Sequence, residues 1–400
     1  MNPNWFLSRH VRHADQMAKH VRKILNAQRD ILSFEAIQNV QKSLQELRAA
    51  TEGRLNRATL EARMKEVENV ANKWLKAYPN PGIRENIEVL LVAIAVAMAI
   101  RTFFLQPFKI PTGSMQPTLF GITEENLIGR EDVKIPDPIT GFFTFWFRGI
   151  SYTHVVAKAD GPLTIIDEVP KKFLLFNLYQ RFKVGDASDI VWFPPDNLFA
   201  RAGLADAYRV VPKEFKKGED VMKLRVISGD HLFVDRVTYN FRRPTRGEII
   251  VFQTKGIDNL PQDQFYIKRL IALGDEHVRI GDDRHVRING KRLDASMKHF
   301  ENVYSFQGPP EKDKYSGHVN DTVASQFVGY SLAPKFRTAQ DEYVVAPNHY
   351  MVMGDNTMNS SDSRTWGDFP QENVIGKSFF VYWPIGRQDD RLSRFGWGTR

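Results

Sequence analysis

Three hydrophobic textures follow one another along the chain. From about Trp5 to Tyr78, apolar positions recur every three or four residues among Ala, Leu, Glu, Gln, Lys and Arg, as in LQELRAATEGRLNRATLEARMKEVENVANKWL. That period is helical and predicts a soluble region over 1–80, made of two helices with a face suited to self-association. It lacks the short apolar core, between a basic start and small residues, of a cleavable leader. YPNPGIREN then interrupts the pattern with two prolines and a glycine.

The second texture is IEVLLVAIAVAMAIRTFFLQPF, continuously apolar from Val89 to Ile100. Counted through Phe103, Phe104 and Leu105, it reaches the roughly 20 residues that a bilayer core requires and predicts a spanning helix over 86–106. Arg101 lies near one end, where its stem lets the guanidinium reach the headgroups. A buried core helix is the competing reading. Lys73, Lys76 and Arg84 on one flank outnumber Arg101 and Lys109 on the other, which puts the amino terminus in the cytoplasm and 107–400 outside.

From Phe108 onward the runs are short, β-branched and aromatic, and are broken by Gly, Pro, Asn and Asp: DHLFVDRVTYNF, GEIIVFQ, FYIKRLIALGD, YMVMGDN, SFFVYWP. Alternation at His277, Val278, Arg279 and Ile280 indicates half-buried strands, and Asn289-Gly290 in RING suits a tight hairpin turn. The expected fold is therefore mainly β, an antiparallel sandwich or partly closed barrel, preceded by the helical region and one transmembrane helix. GFFTFWFRGI and KKFLLFNLYQRF read as core strands of an enlarged domain, with docking at the bilayer interface as the alternative.

Composition narrows the chemistry. Four hundred residues with 42% hydrophobic content suffice for two or three units with a sizeable core. The absence of cysteine excludes disulfides, thiolate zinc and a cysteine nucleophile. A formal net charge of +8 suits an anionic surface. With no basic tract or nucleic-acid signature, that surface is phospholipid and no nucleic acid partner is expected. His10 and His13 have helical spacing but read as solvated residues, and neither a metal nor a cofactor is expected.

The candidate nucleophile is Ser114 in KIPTGSMQPTL, framed by Pro111 and Pro117 just beyond the apolar run. A serine needs a base to take its proton. The Gly-x-Ser-x-Gly elbow fails because no glycine follows two residues on, and Ser-x-x-Lys fails because Pro117 stands in the lysine position. A distant lysine held neutral by burial is left, with Lys268 among Phe265, Ile267, Leu270 and Ile271 as the candidate. Spacing alone leaves that pairing open.

Taken together, IPTGSMQPTL, GDHLFVDRVTYNFRRPTRGEIIVF, YIKRLIALGDEHVRI and MGDNTMNSSDSRTWGDFP resemble, in order, the motif boxes of the type I signal peptidases, the membrane-bound leader peptidases of bacteria. The resemblance implies Ser114 as nucleophile, Lys268 as general base, Thr112 and the Ser114 N–H as oxyanion donors, and Ser360 as the residue that hydrogen-bonds and orients the lysine. It implies structural support from an Asp362–Arg364 ion pair, from Asp355 and Asn356 in the same loop, and from Arg269. Adjacency suggests Phe108, Ile110 and Met115 as the lining of shallow pockets for small substrate side chains.

The implied activity is removal of signal peptides from exported preproteins after A-x-A sites, through an acyl-enzyme, at the bacterial inner membrane. The implied partners are signal peptides, the bilayer and the translocation machinery. The chain departs from the family pattern at Thr357 and Met358, in lacking a proline before Gly274, and in a long insertion at about 121–226. A processor of one dedicated substrate and a catalytically silent membrane-tethered interaction protein are the alternative functions.

Overall fold

The structure, a computed structural model, describes residues 8–52, 56–76, 81–174, 176–206, 211–388 and 393–396. The expected helix start at Trp5 and the break at Tyr78–Asn80 lie outside the described residues. The chain divides into two units, residues 1–95 and 96–400.

Among the described residues the amino-terminal region forms three helices rather than the two expected: Arg9–Ala27, Phe34–Glu52 and Arg57–Trp74. Their apolar positions at helical spacing, Val11, Ala14, Val21 and Leu25, then Val40, Leu44 and Leu47, then Leu60 and Val67, close into one small core. Asn56 starts the third helix by accepting from the Ala58 N–H at 3.0 Å, a local cap inside what reads in sequence as one continuous helical period. Buried Gln28 bonds both the N–H and the carbonyl of Lys76, tying the end of the first helix to the end of the third.

Pro81–Phe103 is the apolar helix, and none of its described side chains is buried, against the reading of a core helix. Among the described residues, Gly82–Phe103 is the one segment long and apolar enough to cross a membrane. The helix ends three residues short of the expected 106, because Leu105–Lys109 is a strand paired antiparallel with His231–Asp235. Ladder hydrogen bonds there outweigh the apolarity of Leu105.

The second unit is built on a seven-stranded antiparallel sheet, curled into a half-barrel. Its order is Leu105–Lys109, His231–Asp235, Val374–Trp383, Ile249–Gln253, Phe265–Leu273, His349–Met353 and Phe369–Pro370. Both faces of the sheet are covered, which is why Ile249–Gln253 reads as an unbroken apolar run. Ile249 and Val251 pack with Ile110, Met115, Leu119, Leu232, Val234 and Val381. Ile250 and Phe252 pack on the other side with Leu270, Val352, Trp366 and Phe369. A four-stranded sheet carries the hairpin Val286–Ile288 to Lys291–Arg292, whose turn residues Asn289 and Gly290 have φ of 51° and 80°.

The inserted region has a separate apolar core around Phe182, Val184, Leu198, Phe199, Met222 and Leu224. The expectation of core strands fails for GFFTFWFRGI: Pro138–Arg148 is a helix with no buried residue. Asp137 caps it, Pro138 opens it and Gly149 closes it at φ 65°, so local end signals outweigh the β propensity of its aromatics. KKFLLFNLYQRF does form strands, Lys171–Phe173 and Phe176–Val184, but only its far end enters the core.

Candidate active site

Ser114 sits in a single tight turn, Gly113–Met115, on a loop closed at its base by Asp230. The Asp230 carbonyl accepts from Ile110 N at 2.9 Å, its N–H donates to the Phe120 carbonyl at 2.8 Å, and its carboxylate accepts from Phe120 N at 2.9 Å. Arg394 completes that anchor with a buried ion pair to Asp230. None of this was inferred from the sequence, although Asp230 opens one of the conspicuous motifs. The turn itself is held through its carbonyls. Asn356 donates its main-chain N–H to Ser114 O at 3.1 Å and its side-chain amide to Gly113 O at 3.0 Å.

Lys268, from the middle of the sheet, brings Nζ to 2.8 Å from Ser114 Oγ and 3.1 Å from the Ile267 carbonyl. The lysine is 4% exposed and the serine 7%. Burial is the main cause that pushes the Lys268 amine down to about 8. The negative charges of Asp362 and Asp355 oppose that shift, and Arg364 adds to it. A lysine in this state is neutral in a substantial fraction of molecules at mildly alkaline pH and can accept a proton from the hydroxyl it touches.

Two buried ion pairs flank Ser114 and Lys268. Arg269 binds both oxygens of Asp355, at 2.7 and 2.6 Å, and Thr118 donates its hydroxyl to the same carboxylate. Thr118 was missed, although it stands within the quoted serine motif. Arg364 binds Asp362 at 2.9 Å. Burial pushes the Asp362 carboxyl up, but the charge and hydrogen bonds of Arg364, with the Gly354 N–H, outweigh it and leave the group lowered.

Thr357, where the resemblance raises doubt over a surface contact, is instead fully buried. Its hydroxyl accepts from Arg364 Nη1 at 2.8 Å and from Val319 N at 3.0 Å. Met358 packs with Val319, Val323, Ala324 and Leu332, so these two departures from the family pattern serve a neighbouring segment.

The remaining expected site residues lie at different depths in the fold. Ser360 is buried beside Gly354 and its hydroxyl helps to hold the Asp362 carboxylate, while the Lys268 amine meets Ser114 Oγ and the Ile267 carbonyl. Thr112 precedes the turn with an exposed side chain that caps nothing. Ile110 and Met115, expected to line substrate pockets, are enclosed in the core beneath the sheet. Of the three pocket candidates only Phe108 is partly open, edge-on to Phe265 at 5.4 Å. Among the described residues no cluster of metal-ligating side chains occurs.

The sequence pattern of the family described as "Signal peptidase, peptidase S26" matches residues 83–131 and 210–383, more than half of the chain. A probable signal peptidase I-2 of Synechocystis sp. is 32% identical over 161 residues, covering 40% of this chain and 57% of its own length. A signal peptidase I of Leptolyngbya laminosa is 31% identical over 161 residues, covering 40% and 62%. A signal peptidase I of Aquifex aeolicus is 27% identical over 215 residues, covering 46% and 78%. The chain thus spans less than two thirds of the first two relatives. The family match leaves out residues 132–209, which lie within the expected insertion at about 121–226.

Proposed function

This chain belongs to the signal peptidase family, peptidase S26, and from that premise we propose that it is a membrane-anchored serine endopeptidase. It removes amino-terminal signal peptides from exported preproteins after small residues of the A-x-A kind. The observation that carries the reading is the 2.8 Å approach of Lys268 Nζ to Ser114 Oγ in a buried setting. A buried lysine placed for structure alone would find a carboxylate partner.

In this mechanism neutral Lys268 takes the Ser114 proton as Oγ attacks the scissile carbonyl carbon. The tetrahedral oxyanion is received by the Ser114 N–H and the Thr112 hydroxyl. The lysine ammonium then protonates the departing amine, the peptide bond breaks and an ester remains on Ser114. Water, deprotonated by the same lysine, hydrolyses the ester and restores the enzyme. Phe108 and its neighbour Phe265 offer apolar surface beside the site for a small side chain.

Gly82–Phe103 is the membrane anchor, with the amino-terminal helices on the cytoplasmic side and residues 107–400 on the outer face of a bacterial inner membrane. That arrangement brings Ser114 close to where exported chains leave the bilayer, next to the translocation machinery.

The test is cleavage of a preprotein carrying an A-x-A site by the detergent-solubilised full chain. Wild type cuts after the small residue, while Ser114→Ala and Lys268→Ala lose activity by orders of magnitude. An inert wild type on several precursors would refute the peptidase reading, and a fully active Lys268→Ala would refute the lysine base.

A further inference from the structure

Helix Pro138–Arg148 is turned inside out. On an ordinary surface helix the apolar stripe faces the protein and the polar one faces water. Here Gly141, Thr144 and Arg148, which share one face at helical spacing, are the half-buried positions. Ile139, Phe142, Phe143, Phe145, Trp146 and Phe147 are 40–72% exposed. An isolated helix of this length is marginal in water, and most helical stability comes from covering an apolar face. Among the described residues, none buries this one.

The helix is nevertheless held firmly. Trp383 donates its indole N–H to the Trp146 carbonyl at 2.7 Å and meets the Phe145 ring at 5.6 Å. Arg148 Nε donates to the Arg387 carbonyl at 2.8 Å, and Gly386 N to the Phe147 carbonyl at 2.7 Å. Trp383 is paired with His231, and His231 with Lys109, the last residue of the strand that follows the apolar helix. Five strand residues at about 3.3 Å each therefore separate the end of that helix from the aromatic platform.

We infer that this aromatic helix is a second membrane contact, lying in the lipid interface with its Phe, Trp and Ile side chains among the acyl chains. The inference rests on the reading of Gly82–Phe103 as an anchor, which keeps a bilayer permanently within that reach. Phe and Trp are side chains that favour the interface. Ile385 extends the apolar surface, and exposed Arg387 at its rim suits anionic headgroups. The segment lies outside the stretches that match the family.

The absence of cysteine permits a direct test. Full chains carrying Phe143→Cys or Asp186→Cys, the second in an exposed turn of the same insertion, are labelled with an environment-sensitive fluorophore. They are then reconstituted into phosphatidylethanolamine–phosphatidylglycerol vesicles. The Phe143 probe should shift to the blue and be quenched by nitroxide-bearing lipid but not by aqueous iodide, with the Asp186 probe quenched by iodide. Iodide quenching of the Phe143 probe, equal behaviour of both probes, or a blue shift that grows with protein-to-lipid ratio, as contact between two copies would give, overturns the inference. Failure of the chain to stay with the vesicles instead refutes the anchor, and loss of cleavage by unlabelled wild type refutes the peptidase reading.

Discussion

Arg269 and Asp355 form a two-bond ion pair in which neither side chain is more than 3% exposed. It joins the strand that carries Lys268 to the loop whose Asn356 holds the Ser114 turn, and so couples the two through one rigid link. Removing one member leaves the other charge buried and alone. Asp355→Ala is expected to destabilise the folded protein by about 3–5 kcal/mol, read from denaturant unfolding of the solubilised chain. A loss below about 1 kcal/mol would show that the pair is not the tie described.

The lowered Lys268 amine sets a pH dependence. Cleavage should rise as pH passes through about 8, where the amine loses its proton, and level off above it. Stability moves in the same direction. Between about 8 and the ordinary 10.5 the unfolded chain holds a proton that the folded chain has lost, so the lysine's contribution to stability increases with pH across that window. A kcat/KM profile flat from pH 6 to 10 would contradict the neutral-lysine mechanism.

Gly354 lies where a side chain cannot. An added Cβ would overlap both the Ser114 carbonyl oxygen and Ser360 Oγ. Because the interior is close-packed, Gly354→Ala has to displace the serine turn, at a stability cost of about 1–3 kcal/mol. The expected signature is a fall in kcat far larger than the change in unfolding midpoint; equal activity in the alanine variant would show that the turn has slack.

Thr357 reports on the departure from the family pattern. Thr357→Val keeps the shape but removes the acceptor shared by Arg364 and the Val319 N–H. An unpaired buried donor costs about 1–3 kcal/mol. Urea unfolding should record a loss in that range, whereas a neutral valine would mean that both donors find other acceptors.

Local repetition along the chain determined a good deal. Helical spacing marked the amino-terminal region, unbroken apolarity marked the helix ending at Phe103, and Asn289-Gly290 marked its hairpin, because each depends on neighbours a few residues apart. Four ordered motifs carried the family. What the periodicity could not mark was the cap at Asn56, which cuts one helical stretch in two, or the ladder that claims Leu105 for the sheet.

Only the tertiary structure decided the rest. Ser114 and Lys268 are 154 positions apart, and nothing local joins them; the curled sheet does. Burial was equally invisible, since Ile110 and Met115 look the same in sequence whether they line a pocket or fill a core. The aromatic helix shows the limit most plainly. Its residues announce an apolar surface, but which way that surface faces depends on Trp383 and Arg387, contacts more than two hundred residues distant.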